Sequence, residues 1–376
     1  MAPPNVVVIS ASFGSGHDVA AADLSRRLSA RGALVQRYDF VSLLGPRLGP
    51  WARSSYARQL TYAPVTWGWA LGMLRHPRAV DGCARSCAGV SAARVQAAIT
   101  GADLVVSTYP LASLVLGRLR RNGLPTPVIT FLTDLSVHPL WISDAVDLHL
   151  APHAVAAEQA RSAGAADVRV VAPPVDVDRF KPLPADERRE IRRRYGLPEV
   201  GKLALISSGS WGVGAVAATA RDVARTGEAI PVIACGHNDA LRRRLNNHGY
   251  GPAIGWTNEM PALIGACDVV VTNAGGITAL ESIACEVPVV AYRPLPGHGV
   301  TNADALRASG LGVCANDATQ LAKRLADPWP LPFDALAVSR PADIFAYPDP
   351  ADTILSQLRQ GPLESEAAEP ALSVMR

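Results

Sequence analysis

The stretch Asp268-Val-Val-Val-Thr-Asn-Ala-Gly-Gly-Ile-Thr-Ala-Leu-Glu281 decides how this sequence folds. Its valine-rich start, Asp268–Thr272, is typical of a buried strand, and Asn273–Thr278 supplies the small residues of a sharp turn before a helix over Ala279–Cys285. A helix that begins directly after such a turn offers free backbone amides to an anion. The sequence therefore predicts an α/β fold with a phosphate-binding loop at this point.

Short strand-like runs alternate with Ala-, Leu- and Arg-rich helical runs on both sides of this stretch, and the proline-rich segment Ala172–Pro184 divides the alternation into two series. The first series of predicted strands is Val6–Ser10, Leu34–Asp39, Leu104–Ser107, Val128–Thr133, Leu148–Ala151 and Val168–Val171. The second series is Leu203–Ser207, Pro231–Cys235, Ala253–Gly255, Asp268–Thr272, Val287–Tyr292 and Gly312–Ala315. We expect two parallel sheets in two Rossmann-like domains that face each other across a cleft.

These boundaries predict a domain over residues 1–175, a linker with a charged helix over 176–198 and a second domain over 199–340. A short helix is expected within residues 341–360. Residues 361–376 are rich in Glu, Ala and Ser with little to bury, so a disordered tail is predicted.

Composition excludes several classes of protein. Of 376 residues, 49% are hydrophobic and 18% charged, which suits two packed cores. A net charge of +3 is far below that of a nucleic-acid-binding domain, so no nucleic-acid partner is expected. The six cysteines form no CxxC pair, and no signal peptide or membrane-spanning run is apparent. We expect a cytoplasmic protein whose membrane contact, if any, is peripheral.

One segment, residues 48–95, interrupts the alternation with aromatic residues and arginines against a single acid, Asp81. Its five aromatic residues are Trp51, Tyr56, Tyr62, Trp67 and Trp69. Such a mixture suits a surface that meets anionic lipid headgroups. A pair of amphipathic helices with aromatic residues in the core and solvated arginines explains it equally well, and both interpretations stay open.

The first predicted strand runs into a glycine turn and a helix. Gly14 and Gly16 allow the backbone to approach a ligand, and His17 begins the helix, where the positive helix end and burial favour a neutral imidazole that can accept a proton. An ordinary residue at a helix start is the alternative. A dinucleotide site would need glycine at Val19 and an acid before Asp39, so a nicotinamide enzyme is only the second choice.

The fourth predicted strand ends at Asp134, and His138 follows within the same loop. Ligands of doubly wound sheets bind where strands end, so both side chains are candidates to act beside His17. The alternative for Asp134 is a cap on the next turn.

The second domain carries the predicted nucleotide site. Glu281 lies one turn into its helix, where a carboxylate can accept hydrogen bonds from both ribose hydroxyls. The small residues expected to approach the phosphates are Ser208, Gly209, Ser210, Asn273, Gly275, Gly276 and Thr278.

At this point the sequence resembles the GT-B glycosyltransferases that include monogalactosyldiacylglycerol synthase, the processive diacylglycerol glucosyltransferases and, more distantly, the peptidoglycan N-acetylglucosaminyl transferase. The strongest part of this resemblance runs from Gly255-Trp-Thr-Asn-Glu-Met260 through Ala266–Glu281 to Pro288. The resemblance covers nearly all of residues 5–330 and implies a GT-B architecture and a UDP-sugar donor. It assigns Trp256 to the strand end that binds the base.

The donor-sugar region departs from the family. The family usually carries Gln-Glu-x-Gly-Asn, whereas this chain reads Pro296-Gly-His-Gly-Val-Thr-Asn302. By resemblance, Asn302 contacts the donor sugar and His298 replaces a more usual amide. Trp211 also stands in a loop that is more often glycine and acid. The identity of the sugar therefore stays open.

The resemblance implies an inverting transfer of a hexose from a UDP-sugar to a hydroxyl acceptor, with a membrane lipid such as diacylglycerol expected. The alternatives are transfer to a soluble natural-product aglycone, epimerisation of a UDP-sugar, and nucleotide binding without turnover. Asp176 and Asp178 look like the metal-binding pair of another glycosyltransferase architecture but lie in the linker. No metal ion and no cofactor are expected, because helix-terminal amides supply the positive field.

Overall fold

The computed structural model describes residues 2–273, 275–329 and 338–358. The strands of its first sheet are β1 Asn5–Ser10, β2 Leu34–Asp39, β3 Leu104–Ser107, β4 Val128–Phe131, β5 Leu148–Ala151 and β6 Val168–Val170. The strands of the second are β7 Leu203–Ser207, β8 Ile230–Ala234, β9 Ala253–Ile254, β10 Val269–Thr272, β11 Val289–Tyr292 and β12 Val313–Ala315. Every predicted strand is present, with ends shifted by a few residues.

Both sheets are parallel, in the orders β2-β1-β3-β4-β5-β6 and β12-β11-β10-β7-β8-β9. The chain order reverses beside β1 in the first sheet and beside β7 in the second. Consecutive crossovers leave from opposite sides there, and a crevice opens at the carboxyl ends of the strands. The predicted loops after β1, β7 and β10 are therefore at the binding edges of their sheets.

Helices cover both faces of each sheet. Those before β7 are α1 Gly16–Ala30, α2 Phe40–Leu43, α3 Leu48–Tyr62, α4 Pro64–Met73, α5 Pro77–Ala98, α6 Pro110–Arg121, a 3-10 turn Pro139–Trp141, α7 Ala154–Ser162 and α8 Ala185–Arg194. The others are α9 Val216–Thr226, α10 Asp239–His248, α11 Met260–Ala266, α12 Ile277–Ala284, α13 His298–Ala308, α14 Ala318–Ala326, a 3-10 turn Pro341–Ala346 and α15 Pro350–Gln357.

Residues 48–95 form three helices, α3, α4 and α5, so the expectation of a helix pair was wrong. Pro64 lies in the first turn of α4, where its missing N–H costs nothing, and Ala63 before it leaves the helical conformation. The proline thus splits one predicted helix into two. No helix in the described ranges combines the length and apolar character needed to cross a bilayer.

The last helix returns to the first domain. Ile354 and Leu355 of α15 pack in the same core as Leu24 and Leu28 of α1. Arg27 of α1 also pairs with Asp349 at 2.9 Å. Local sequence patterns predicted this helix but not the domain on which it packs. The tail predicted to be disordered, residues 361–376, lies outside the described residues.

Candidate active site

His17 lies in the first turn of α1, and the surrounding strand ends fix its ring. Its Nδ1 is 2.8 Å from the carbonyl oxygen of Thr108 and 3.0 Å from the hydroxyl of Thr133. The rings of Tyr109 and Trp141 pack around the imidazole, with centroids 5.1 and 5.9 Å away. A carbonyl can only accept, so Nδ1 carries the proton and Nε2 carries the lone pair. This is the tautomer that a general base requires.

Burial lowers the pKa of His17, while the nearby carboxylate of Asp134 acts in the opposite direction. The imidazole is therefore neutral at pH 7, and the imidazolium formed by proton uptake has an anion beside it. Asp134 itself accepts a hydrogen bond of 3.1 Å from the indole N–H of Trp141. Its position suits an electrostatic partner of His17.

His138 does not have the free lone pair predicted for a catalytic candidate. Its Nε2 is 3.0 Å from the carbonyl oxygen of Leu71, and its Nδ1 accepts from the backbone N–H of Leu140 at 3.2 Å. With Nε2 donating and Nδ1 accepting, no ring nitrogen is left to remove a proton. The structure argues against a base role, and His138 instead ties α4 to the 3-10 turn.

The glycine loop after β1 is built by a neighbouring strand end. Asp39 accepts hydrogen bonds from the backbone N–H and the hydroxyl of Ser12, at 3.1 and 2.8 Å. Gly14 has φ +90°, and a side chain at Gly16 would approach Ile277 of the second domain at 3.9 Å. The predicted glycines thus lie at the cleft, opposite the start of α12.

In the second domain, a hydrogen bond joins the loops that follow the carboxyl ends of β7 and β10. The side-chain amide of Asn273 donates to the carbonyl of Val213 at 2.8 Å, and a Cβ at Gly214 would lie only 2.5 Å from that amide. The hydroxyl of Ser208 and the amide oxygen of Asn273 are buried without a hydrogen-bond partner among the described residues. Buried polar atoms without partners are costly, and they suit a polar ligand at this edge.

Of the remaining predicted phosphate-loop residues, Ser210 accepts a 2.8 Å hydrogen bond from the backbone N–H of His237. Gly209 and Gly275 have φ values of +72° and +71°, a region that favours glycine. Gly276 caps α12, and Thr278 lies in its first turn. All of these positions line the edge at which α12 begins.

Glu281 is buried within α12, and burial raises its pKa to about 7, with Arg179 opposing the shift. A carboxyl group with this pKa is poised to ionise when it gains hydrogen-bond donors. Arg179 comes from the linker, and no local sequence pattern indicated that it approaches Glu281. The predicted base contact, Trp256, is 49% exposed and stacks on His237 with centroids 4.1 Å apart. Its open face is available to a planar ligand.

The two residues assigned to the donor sugar both contact the first domain. His298 accepts a 3.2 Å hydrogen bond from the indole of Trp67, and Asn302 accepts from the backbone N–H and hydroxyl of Ser136 at 2.9 and 2.7 Å. Burial lowers the pKa of His298, and Asp134 opposes this shift. Sugar contact by either residue stays a prediction, and their contacts across the cleft were not foreseen.

A pocket with a cavity volume of about 480 Å³ opens between the domains. Its apolar side comes from α4, and its polar side comes from the loop after β4 and the start of α13. The lining includes Val65, Gly68, Trp69, Leu71, Gly72, Arg75, Asp134, Ser136, His138, Pro296, Gly297, His298, Val300 and Thr301. An acceptor with a polar head and an apolar body fits this division.

Aromatic side chains that the sequence did not assign to the site join the two domains. Tyr56 packs edge-on against Trp67 at 4.8 Å and against Trp211 of the second domain at 5.8 Å. Phe13 lies 5.6 Å from Tyr56 and stacks on Tyr109. Trp211 of the second domain thus contacts α3 of the first domain across the cleft.

Within the described parts of the chain, no three His, Cys, Asp or Glu side chains are grouped to hold a metal ion. Asp176 accepts from the backbone N–H of Asp178 at 3.3 Å and pairs with Arg26 at 3.5 Å. The expectation that donor binding needs neither a metal ion nor a cofactor stays a prediction.

Both halves of the chain match known families. Residues 17–174 match the family model of monogalactosyldiacylglycerol (MGDG) synthase, and residues 215–327 match that of glycosyl transferases group 1. The solved structure of sucrose-phosphate synthase from Thermosynechococcus elongatus superimposes with a TM-score of 0.56 at 16% identity, covering 95% of this chain and 98% of that one. Anabaena Alr3699/HepE in complex with UDP-glucose superimposes with a TM-score of 0.53 at 17% identity and the same coverage.

The chain has the GT-B fold and is related to glycosyltransferases. Monogalactosyldiacylglycerol synthase 1 of Arabidopsis thaliana is 29% identical over 242 residues, 60% of this chain and 45% of the plant protein. Processive diacylglycerol beta-glucosyltransferase of Bacillus subtilis is 26% identical over 222 residues, 57% of each chain. The chain thus spans about half the length of these two curated relatives. The predicted fold and the predicted family resemblance are both confirmed.

Proposed function

We propose that this GT-B protein transfers a hexose from a UDP-sugar to a hydroxyl group of a membrane lipid, with inversion at the anomeric carbon. The observation that carries the proposal is His17, a half-buried neutral histidine held in the base tautomer beside Asp134. It lies across the cleft from the start of α12. A base on one wall and an amide-rich helix end on the other are what this displacement requires.

In the proposed reaction, Nε2 of His17 removes the proton of the acceptor hydroxyl while that oxygen attacks the anomeric carbon. The bond between this carbon and the β-phosphate oxygen breaks, and UDP leaves with the bonding electron pair. Two loops stabilise the phosphate charge through backbone N–H groups: the loop after β7, which ends at Gly214, and the loop that precedes α12. Asp134 stabilises the imidazolium that results.

The proposed donor site follows from the second domain. Glu281 binds the ribose hydroxyls, and the open face of Trp256 stacks on the uracil ring. Anabaena Alr3699/HepE, which is similar in fold, is known in complex with UDP and with UDP-glucose, and this supports a uridine nucleotide here.

The acceptor is proposed to be diacylglycerol. Two relatives are named for diacylglycerol products or substrates, and the pocket beside Asp134 has an apolar side formed by α4. A lipid with one free hydroxyl can place this group near His17 while its chains follow α4 outward. A soluble aglycone is the second candidate, because planar aromatic acceptors also suit the aromatic residues around the cleft.

We also propose that helices α3 and α4 dock on an anionic membrane surface. Trp51, Tyr62 and Trp69 are 66%, 84% and 70% exposed, which is unusual for aromatic residues without a partner. Arg53 and Arg58 have no ion pair among the described residues, whereas Arg85 of the same segment pairs with Asp81. The same α4 lines the interdomain pocket, so a docked membrane would face the acceptor entrance.

The decisive experiment measures UDP release with a panel of UDP-hexoses, with and without vesicles that contain diacylglycerol. We expect release that needs one UDP-hexose and the lipid together, with a glycosylated lipid as the second product. A sugar isomer formed without an acceptor would instead show an epimerase. Transfer only to soluble phenols would replace the lipid by a natural-product acceptor. UDP binding without turnover in every condition would contradict the enzyme assignment.

A further inference from the structure

Helix α4 and the turn that begins α13 touch backbone to backbone across the domain cleft. A Cβ added at Gly68 would lie 3.2 Å from the backbone nitrogen of Gly297, and one added at Gly297 would lie 3.2 Å from Cα of Gly68. Gly297 also has φ +85°, a conformation that other residues rarely adopt. Glycine at both positions therefore permits this contact, because a side chain at either one would force the two backbone segments apart.

This close approach brings Trp67 and His298 together. The indole Nε1–H of Trp67 donates to Nδ1 of His298 at 3.2 Å, and Tyr56 packs against the indole. An indole can only donate, so Nδ1 of His298 must carry the lone pair. The neutral ring then holds its proton on Nε2. Because His298 lines the interdomain pocket, the ring offers a ligand an N–H donor.

The charged and titratable groups around this ring favour the neutral form. Burial lowers the pKa of His298, and the facing carboxylate of Asp134 partly opposes this effect. His138 and Arg75 also line the pocket, His17 interacts electrostatically with His298, and none of these three residues is an acid. The hydrogen bond from Trp67 acts in the same direction as burial and lowers the pKa of His298, since protonation at Nδ1 would place two donors against each other.

We propose that Trp67 is a positioning residue that selects the donor sugar, because it holds His298 as the Nε2–H tautomer and so presents a hydrogen-bond donor to one sugar hydroxyl. This inference rests on the proposed function and deepens it. A histidine free to exchange tautomers would accept from one hydroxyl orientation and donate to another, and its selectivity would be lower. The residue that selects the donor thus lies on α4, in the domain that binds the acceptor.

The test replaces Trp67 by Phe, which keeps an aromatic ring and removes the N–H. Nitrogen-15 NMR of the histidine rings, with the signal assigned by His298→Gln, reports tautomer and pKa without any turnover. We expect an unprotonated Nδ1 in the parent protein. In Trp67→Phe we expect mixed tautomers and a higher pKa of His298, because the bond that stabilised the neutral ring is lost. Trp329→Phe, an exposed tryptophan after α14, should leave both unchanged.

Kinetics supply the second readout. The ratio of kcat/KM between the best and second-best UDP-hexose should fall about tenfold in Trp67→Phe, the size expected for one misplaced hydrogen bond. An unchanged tautomer and pKa, or an unchanged ratio in an active variant, would overturn the inference. If Trp67→Phe does not fold, an unchanged ratio in His298→Gln would overturn it instead. A parent protein that transfers no sugar would contradict the proposed function and leave the tautomer measurement standing.

Discussion

Two strand–glycine–helix turns face each other in this molecule, one at the start of α1 and one at the start of α12. In both, a glycine with positive φ precedes the helix: Gly14 at +90° and Gly275 at +71°. A Cβ at Gly14 would meet nothing within 4 Å, whereas one at Gly275 would press on Asn302 at 3.1 Å. The first turn is open and followed by a titratable ring. The second is packed and followed by a buried carboxylate.

The contrast shows how one backbone motif supports two kinds of chemistry. The first turn leaves space beside His17, the side chain that we propose removes the acceptor proton. The second closes around backbone amides and places Glu281, the proposed ribose ligand, one turn along the helix.

The largest effect is expected from His17→Ala. Loss of a general base should lower kcat by about 10²–10⁴-fold and leave UDP affinity unchanged, because the base lies on the opposite wall from the nucleotide. Turnover is measured by UDP release and affinity by calorimetry. His138→Gln serves as the matched control, since His138 has no free nitrogen and should not show a selective loss of kcat.

A folded His17→Ala protein with near-normal turnover would move the base role to Asp134. In that case Asp134→Asn should show the larger loss of kcat. A loss of UDP affinity in His17→Ala would contradict the assignment of proton transfer to the first turn and nucleotide binding to the second.

The next effect is expected in the second turn, where Glu281→Ala should weaken UDP binding by about 1.5–3 kcal/mol, the range for hydrogen bonds to a charged group. Calorimetry with UDP measures this change, and thermal unfolding checks that the variant folds. Unchanged affinity in a folded variant would remove Glu281 from the ribose site.

The pH dependence of UDP binding tests the role of Glu281 in the second turn independently of His17. The pKa of Glu281 is raised to about 7 by burial, so below this pH the carboxyl must lose a proton before it accepts hydrogen bonds from ribose. UDP affinity should therefore fall on acidification from pH 7 by up to about tenfold per pH unit and level off above pH 7. Glu281→Gln should show only the dependence due to the UDP phosphates. Parallel curves for both proteins would contradict the assignment.

A smaller effect is expected on the proposed docking of the first domain to lipid. Trp51→Ser with Tyr62→Ser should reduce co-sedimentation with anionic vesicles several-fold, because both exposed rings lose apolar contact with the interface. Trp329→Ser, an equally apolar exposed position in the other half of the chain, should have no effect. Binding to anionic vesicles should also fall at high salt. Equal binding to neutral and anionic vesicles would contradict the proposed contribution of the arginines to membrane binding.

The smallest change is expected from chelation. If the amides at the start of α12 supply the positive field for the diphosphate, transfer should continue in excess EDTA at an unaltered rate. The measurement is initial rate with and without chelator. A loss of rate that magnesium or manganese restores would show that the second turn is not sufficient.

Much of the candidate site could be predicted from local sequence. The glycine turns, His17 at the start of a helix and Glu281 one turn into another all follow from strand and helix periodicity over fewer than twenty residues. The exact role of His138 could not be predicted, because its type and position suggested a base. Only its bonds to Leu71 and Leu140 showed that both nitrogens are engaged.

The sequence by itself determined two alternating α/β series and the loops that end their strands, since each element depends on side chains close together in the chain. Tertiary structure alone decided the tautomer of His17, set by a carbonyl 91 residues away, and the bond between Trp67 and His298, which are 231 residues apart. It also decided that α15 packs on α1. Contacts of this kind depend on how distant parts of the chain pack, within the first domain as well as between the two domains, and no local propensity encodes that geometry.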